Sequence, residues 1–100
     1  MKLRVRREAE HDVLESATWY NEAEAGLGDA FVNAVQNAYT RIERGPLHYQ
    51  TIYGDVRVAR RQRFLHGVFF LAREHEAIVL AVLHLHRAPG TWKKRLRNLP

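Results

Sequence analysis

The chain has no cysteine, which removes a disulfide framework, a thiolate zinc site, an iron–sulfur cluster and a cysteine nucleophile together. Its longest apolar run, Ala77 to Leu83, is about a third of what a membrane span needs, so no spanning helix is expected. Lysine is scarce: Lys2, Lys93 and Lys94 are the only three, and arginine supplies the rest of the positive charge. No acid follows Glu76. The basic start, Met1 to Arg7, leads into Glu8-Ala9-Glu10-His11-Asp12 instead of an apolar stretch, so a secretory signal is not expected and the cytoplasm is the expected location.

What remains is an ordinary globular composition, 46% hydrophobic and 27% charged, in 100 residues, which predicts one small domain spanning the whole chain. The net charge of +5 is unevenly placed. Residues 1–50 hold six Lys/Arg against eight acids, a balance of −2, whereas residues 51–100 hold ten against three, a balance of +7. Such asymmetry points to an anionic partner for the second half, either nucleic acid or an acidic protein.

Periodicity divides the chain into six elements. Lys2 to Arg6 alternates like a half-buried strand. From Glu8 to about Glu24, the residues Ala9, Val13, Ala17 and Tyr20 recur at helical spacing. After Gly26-Leu27-Gly28 the same period resumes through Phe31 and Ala38 to Ile42, and Gly45-Pro46 closes it. Two helices joined by so short a turn run antiparallel. Three strands follow a loop from Leu47 to Asp55: Val56–Arg60, Phe64–Ala72 and Ala77–Leu85, the last so apolar that it must be central or covered on both faces. The predicted fold class is α+β, a two-helix hairpin on a mainly antiparallel four-stranded sheet in the order βααβββ.

Three features carry the chemistry. Arg57, Arg60, Arg61 and Arg63 place four guanidiniums within seven residues, and guanidinium forks bind phosphate or carboxylate bidentately. A charged hairpin tip that resists aggregation explains the same cluster less well. His84 and His86 share one face at the end of the most apolar strand. They fit general acid–base work, or the satisfaction of strand-end hydrogen bonds. A metal pair would need a third ligand from His66, His75 or a remote acid, so no metal and no cofactor are expected. The segment from Arg87 onward interleaves Trp92, Leu96 and Leu99 with Lys93, Lys94, Arg95 and Arg97 after a Pro89-Gly90 break. It suits contact with nucleic acid or an acidic protein, or else a short helix, with Thr91 as its cap, that docks Trp92 on the sheet. Target or anion contacts are therefore assigned to Arg57, Arg60, Arg61, Arg63, His84, His86, Arg87, Trp92, Lys93, Lys94 and Arg95.

These residues resemble the RelE/ParE superfamily of type II toxin–antitoxin toxins over nearly the whole chain. The resemblance rests on Ala9-x-x-Asp12-Val13 leading to Trp19-Tyr20, and on Gly26-Leu27-Gly28 before Phe31. It continues through Pro46 with Tyr49, Val56-Arg57, and Phe64 through Phe70. It ends in Val82-Leu83-His84-x-x-Arg87-x-Pro89-x-x-Trp92. It implies a helical hairpin on a mainly antiparallel sheet and a cognate antitoxin that covers apolar surface on the hairpin and complements the arginines with acids. Leu65 and His66 depart from the family pattern, in which proline and an aromatic follow the Phe64 position.

The resemblance implies one of two activities. RelE-like members cleave ribosome-bound mRNA by 2′-hydroxyl attack; for that chemistry this chain offers Arg57, Arg61, Arg63 and His84, but not the lysine-rich arrangement. ParE-like members inhibit DNA gyrase and are not nucleases, and the ending from His84 to Pro89 is closer to theirs. The ParE-like reading is preferred, the nuclease is its alternative, and a non-toxic RNA-binding or scaffold module is a third reading, because fold does not settle function.

Overall fold

The computed structural model describes residues 1–61 and 63–98; the side chains of Arg61, Arg87, Ala88 and Pro89 lie outside the description. Strand β1 (Lys2–Val5) leads into α1 (Arg7–Ala23) and α2 (Leu27–Arg44). Then come β2 (Thr51–Tyr53), β3 (Val56–Arg61), β4 (His66–Ala72), β5 (Glu76–His84) and a terminal α3 (Ala88–Arg97). The strands form one sheet in the order β1-β5-β4-β3-β2. The β1–β5 pair is parallel and the other three pairs are antiparallel.

The hairpin turn depends on two glycines. Gly26 adopts φ +87°, a left-handed conformation that costs most other residues, and Gly28 lies where a Cβ would come within 2.1 Å of the Ala17 carbonyl oxygen. The Gly28 N–H donates to Asn21 Oδ1 at 2.8 Å, so one open donor in the first turn of α2 is satisfied by α1.

The α1–α2 hairpin covers one face of the sheet, where Phe31, Val35, Ala38 and Ile42 meet Val68, Phe70, Val79 and Val82. On the other face Val56, Val58, Phe69, Leu71 and Leu80 pack with Trp92 of α3. Strand β5 therefore has pairing partners at both edges and apolar cover on both faces, as its unbroken apolarity predicted.

Two differences from the expected βααβββ order have physical causes. The sheet has five strands, because Thr51–Tyr53 pairs with β3 inside the segment read as a loop. Three residues are too few to display an alternation. The second addition is α3, which begins before Pro89-Gly90; a proline within the first helical turn removes no intrahelical hydrogen bond. Strand β4 also starts at His66 instead of Phe64, since Leu65 turns the chain with φ +53°.

Candidate functional site: a ridge between a guanidinium groove and an imidazole cleft

The β3–β4 turn carries Arg63 and Phe64 as a ridge with a depression on each side. On one side a groove of about 670 Å³ runs between α2 and the end of β3. Its floor is Ala30, Ala34 and Phe64, and its polar lining is Asn33, Asn37, Arg41, Arg60 and Arg63. Among the described residues, three guanidiniums line it and no carboxylate does. The spacing of Ala30, Ala34, Asn37 and Arg41 places them along one side of α2. Arg60 reaches Gln50 Oε1 at 3.4 Å, and the Arg63 guanidinium lies 5.2 Å from the Phe64 ring centroid. Positive charge held beside a small apolar floor is suited to an anionic partner that also brings apolar groups.

On the other side a cleft of about 850 Å³ opens between α1, the turn and the far end of β5. It gathers Ser16, Tyr20, His66, His84, His86 and Arg63. His66 is only 8% exposed. Its Nδ1 lies 2.7 Å from the Phe64 carbonyl oxygen, which can only accept, so Nδ1 carries a proton, and Nε2 lies 3.4 Å from Ser16 Oγ. The Tyr20 hydroxyl donates to the same carbonyl at 3.0 Å, and burial raises its pKa above the usual phenol value. At His84 the Nδ1 atom has the opposite role. Its Nδ1 accepts the His86 N–H at 3.2 Å, so its Nε2 carries the proton. The His66 and His84 ring centroids lie 5.6 Å apart, and those of His84 and His86 5.1 Å. Each ring orientation is thus held by main chain.

Several residues assigned to target contact have structural work instead. Trp92 is 4% exposed, stacks on Phe69 at 6.0 Å and meets Tyr53 at 5.7 Å, so the terminal helix docks on the sheet through Trp92; the helix starts at Ala88, so Thr91 lies inside it and does not cap it. Arg95 makes a bidentate pair with Asp12 and also donates to the Leu80 carbonyl, so its charge is compensated within the molecule. Arg57 donates to the Tyr49 carbonyl at 2.6 Å and to the Leu47 carbonyl at 3.4 Å, which ties the loop before β2 to β3. Lys93 lies over the Tyr53 and Trp92 rings, and Lys94 is exposed. The Arg61 and Arg87 side chains fall outside the described residues.

The structure therefore brings Arg60 and Arg63 together and adds Arg41, which sequence reasoning left out because its partners lie about 20 residues away in the chain. It also adds His66, Ser16 and Tyr20 to His84 and His86. In the sequence His66 stood out as a possible third ligand beside His84 and His86 and, with Leu65, as a departure from the family pattern. Among the described residues no group of three His, Asp or Glu side chains is placed to hold a metal ion.

This fold is similar to a chain of the chromosomal ParDE TA system from P. aeruginosa, with a TM-score of 0.64 at 17% identity over 84% of this chain and 95% of that one. The chain has a ParE-like fold. No protein-family model matches it, and no curated protein does. At this identity the likeness shows the fold alone. No helix among the described residues is long and apolar enough to cross a membrane.

Proposed function

We propose that this protein is the toxin of a type II toxin–antitoxin module, ParE-like in action, which inhibits growth in the cytoplasm through DNA gyrase and is neutralised by a cognate acidic antitoxin. The observation that supports the reading most directly is the ParE-like fold carrying a groove lined by Arg41, Arg60 and Arg63, with no carboxylate among the described residues that line it. Guanidiniums gathered in this way add self-repulsion to the folded chain, which an anionic partner relieves. Exposed Leu14 and Trp19 on α1 supply apolar surface for the same partner to cover.

The test is induction in bacteria together with assays on purified protein. Growth arrest, blocked gyrase supercoiling and intact mRNA are the expected results, with arrest relieved by co-expression of an acidic protein encoded beside it. Codon-linked mRNA cuts in a translation extract, lost in His84→Ala or Arg63→Ala, would replace the gyrase reading with the RelE-like one. Harmless expression without any partner would leave a non-toxic module.

A further inference from the structure

Neither the gyrase reading nor its nuclease alternative uses Ser16, the only serine in the chain. It stands half-buried on α1 where that helix lines the imidazole cleft, and its Oγ lies 3.4 Å from His66 Nε2. The two residues are 50 positions apart, so the docking of the hairpin on the sheet makes the contact.

The imidazole is held from its other side. Nδ1 donates to the Phe64 carbonyl at 2.7 Å and lies 3.3 Å from the Tyr20 hydroxyl, whose own proton goes to the same carbonyl, so two oxygen acceptors face Nδ1. The ring packs edge-on against Phe31 at 4.9 Å and tilted against Tyr20 at 5.7 Å, which opposes its turning over. In the uncharged ring this leaves the lone pair on Nε2, the nitrogen that faces Ser16. A hydroxyl, an imidazole beside it and a third group that fixes the imidazole form the arrangement that activates a serine nucleophile.

The surroundings suit an acyl group. Arg63 and the Nε2–H of His84 line the same cleft and are donors for an oxyanion. Trp19 and Leu65, 64% and 54% exposed, give it an apolar rim, and a partner that covers Trp19 would also close this entrance. Of the two acids in the wall, Asp12 is held by Arg95 and the Val82 N–H, and Glu15 pairs with His11 at 3.6 Å. The group behind His66 is therefore a carbonyl dipole. A dipole steadies a developing imidazolium less than a carboxylate does, which favours esters with a good leaving group over amides.

We propose that Ser16 and His66 form a nucleophile–base pair that hydrolyses small aryl esters in this cleft. Ser16 Oγ adds to the ester carbonyl carbon while its proton passes to His66 Nε2. The bond from that carbon to the aryl oxygen then breaks, the leaving group takes the proton and departs as a phenol, and the acyl group stays on Ser16. Water adds to the acyl carbon and gives a proton to Nε2; the bond to Oγ breaks, the carboxylic acid leaves, and the proton returns to Oγ. Neither gyrase nor an antitoxin enters this chemistry, so it stands independently of the toxin reading.

The full chain is treated with phenylmethylsulfonyl fluoride and mapped by peptide mass, and its hydrolysis of 4-nitrophenyl acetate is followed by absorbance. One sulfonyl adduct on Ser16 is expected, formed about 100-fold faster than in the urea-unfolded chain, which is the contribution of a positioned base. Ser16→Ala should lower ester hydrolysis about tenfold or more, and His66→Asn should slow adduct formation about 100-fold. Thr40→Ala, which removes an exposed hydroxyl on α2, should change neither rate. Circular dichroism checks that each variant folds. Should His66→Asn not fold, the unaltered chain gives a second reading: the Ser16 adduct should shift the His66 ring resonances and leave in place those of His75, exposed between β4 and β5. No adduct on Ser16, an adduct formed as fast in the unfolded chain or in folded His66→Asn, undiminished ester hydrolysis in Ser16→Ala, or unshifted His66 resonances overturns the proposal.

Discussion

Arg95 of α3 and Asp12 of α1 lie 83 positions apart and form a two-pronged pair, with Nη2 to Oδ1 at 3.0 Å and Nη1 to Oδ2 closing the fork. Asp12 also accepts the Val82 N–H, so one carboxylate joins the hairpin, the central strand and the terminal helix. Asp12→Ala strands a main-chain donor and a guanidinium that is 19% exposed, and should cost about 3 kcal/mol in urea unfolding. The double variant with Arg95→Met should cost clearly less than the two single changes added together. Strict additivity would mean the pair is not coupled.

Trp92→Ala should destabilise the protein by about 3–5 kcal/mol, because a buried indole stacked on Phe69 leaves a cavity. Thermal unfolding followed by circular dichroism reads it. A mild effect, within about 1 kcal/mol, would show that α3 rests on the sheet loosely.

Gly28→Ala should be worse than Gly26→Ala. At Gly28 the new methyl meets the α1 backbone at 2.1 Å, so the helices must part, whereas at Gly26 nothing lies within 4 Å and only the left-handed backbone resists. The expected costs are about 2–3 kcal/mol and about 1 kcal/mol respectively, compared by denaturant midpoint. The reverse order would show that strain at the turn dominates the hairpin.

The guanidinium groove makes a separable prediction. Arg41→Ala and Arg63→Ala remove exposed side chains and should change stability by less than about 0.5 kcal/mol. Together with Arg60→Ala they should release the protein from a heparin column at clearly lower salt. Arg57→Ala should do the opposite, lowering stability through the lost Tyr49 and Leu47 carbonyl contacts while changing retention little.

Alkaline pH should unfold the protein through Tyr39. Burial, followed by the charges of Glu10 and Asp12, raises its pKa far above 10.0 in the folded state. Its phenol holds its proton more tightly folded than unfolded, so its contribution to stability is whole below the unfolded pKa of about 10 and is lost as pH rises beyond it. Ultraviolet titration should show one tyrosine ionising only with the loss of structure, and Tyr39→Phe should remove most of that alkaline sensitivity. Early, reversible ionisation of all four tyrosines would contradict the burial argument.

Local pattern alone determined most of the elements. The helical period from Ala9 to Tyr20 and from Phe31 to Ile42, and the continuous apolarity after Ala77, follow from which faces must leave water, a requirement written residue by residue. Thr51–Tyr53 escaped notice because it becomes a strand only by adding to an edge that β3 provides. The site was less legible for a related reason. A run of arginines states how much charge is present, whereas the direction of each guanidinium depends on what comes near it from elsewhere in the chain. Asp12 drew Arg95 inward, the carbonyls of Leu47 and Tyr49 held Arg57, and α2 supplied Arg41 to the two that stayed on the groove. Likewise the pairing of β4 with β5 set His66 opposite His84 and gave their Nδ1 atoms opposite roles, one donating and one accepting, because hydrogen-bond partners are chosen by distance in space and not by position along the chain.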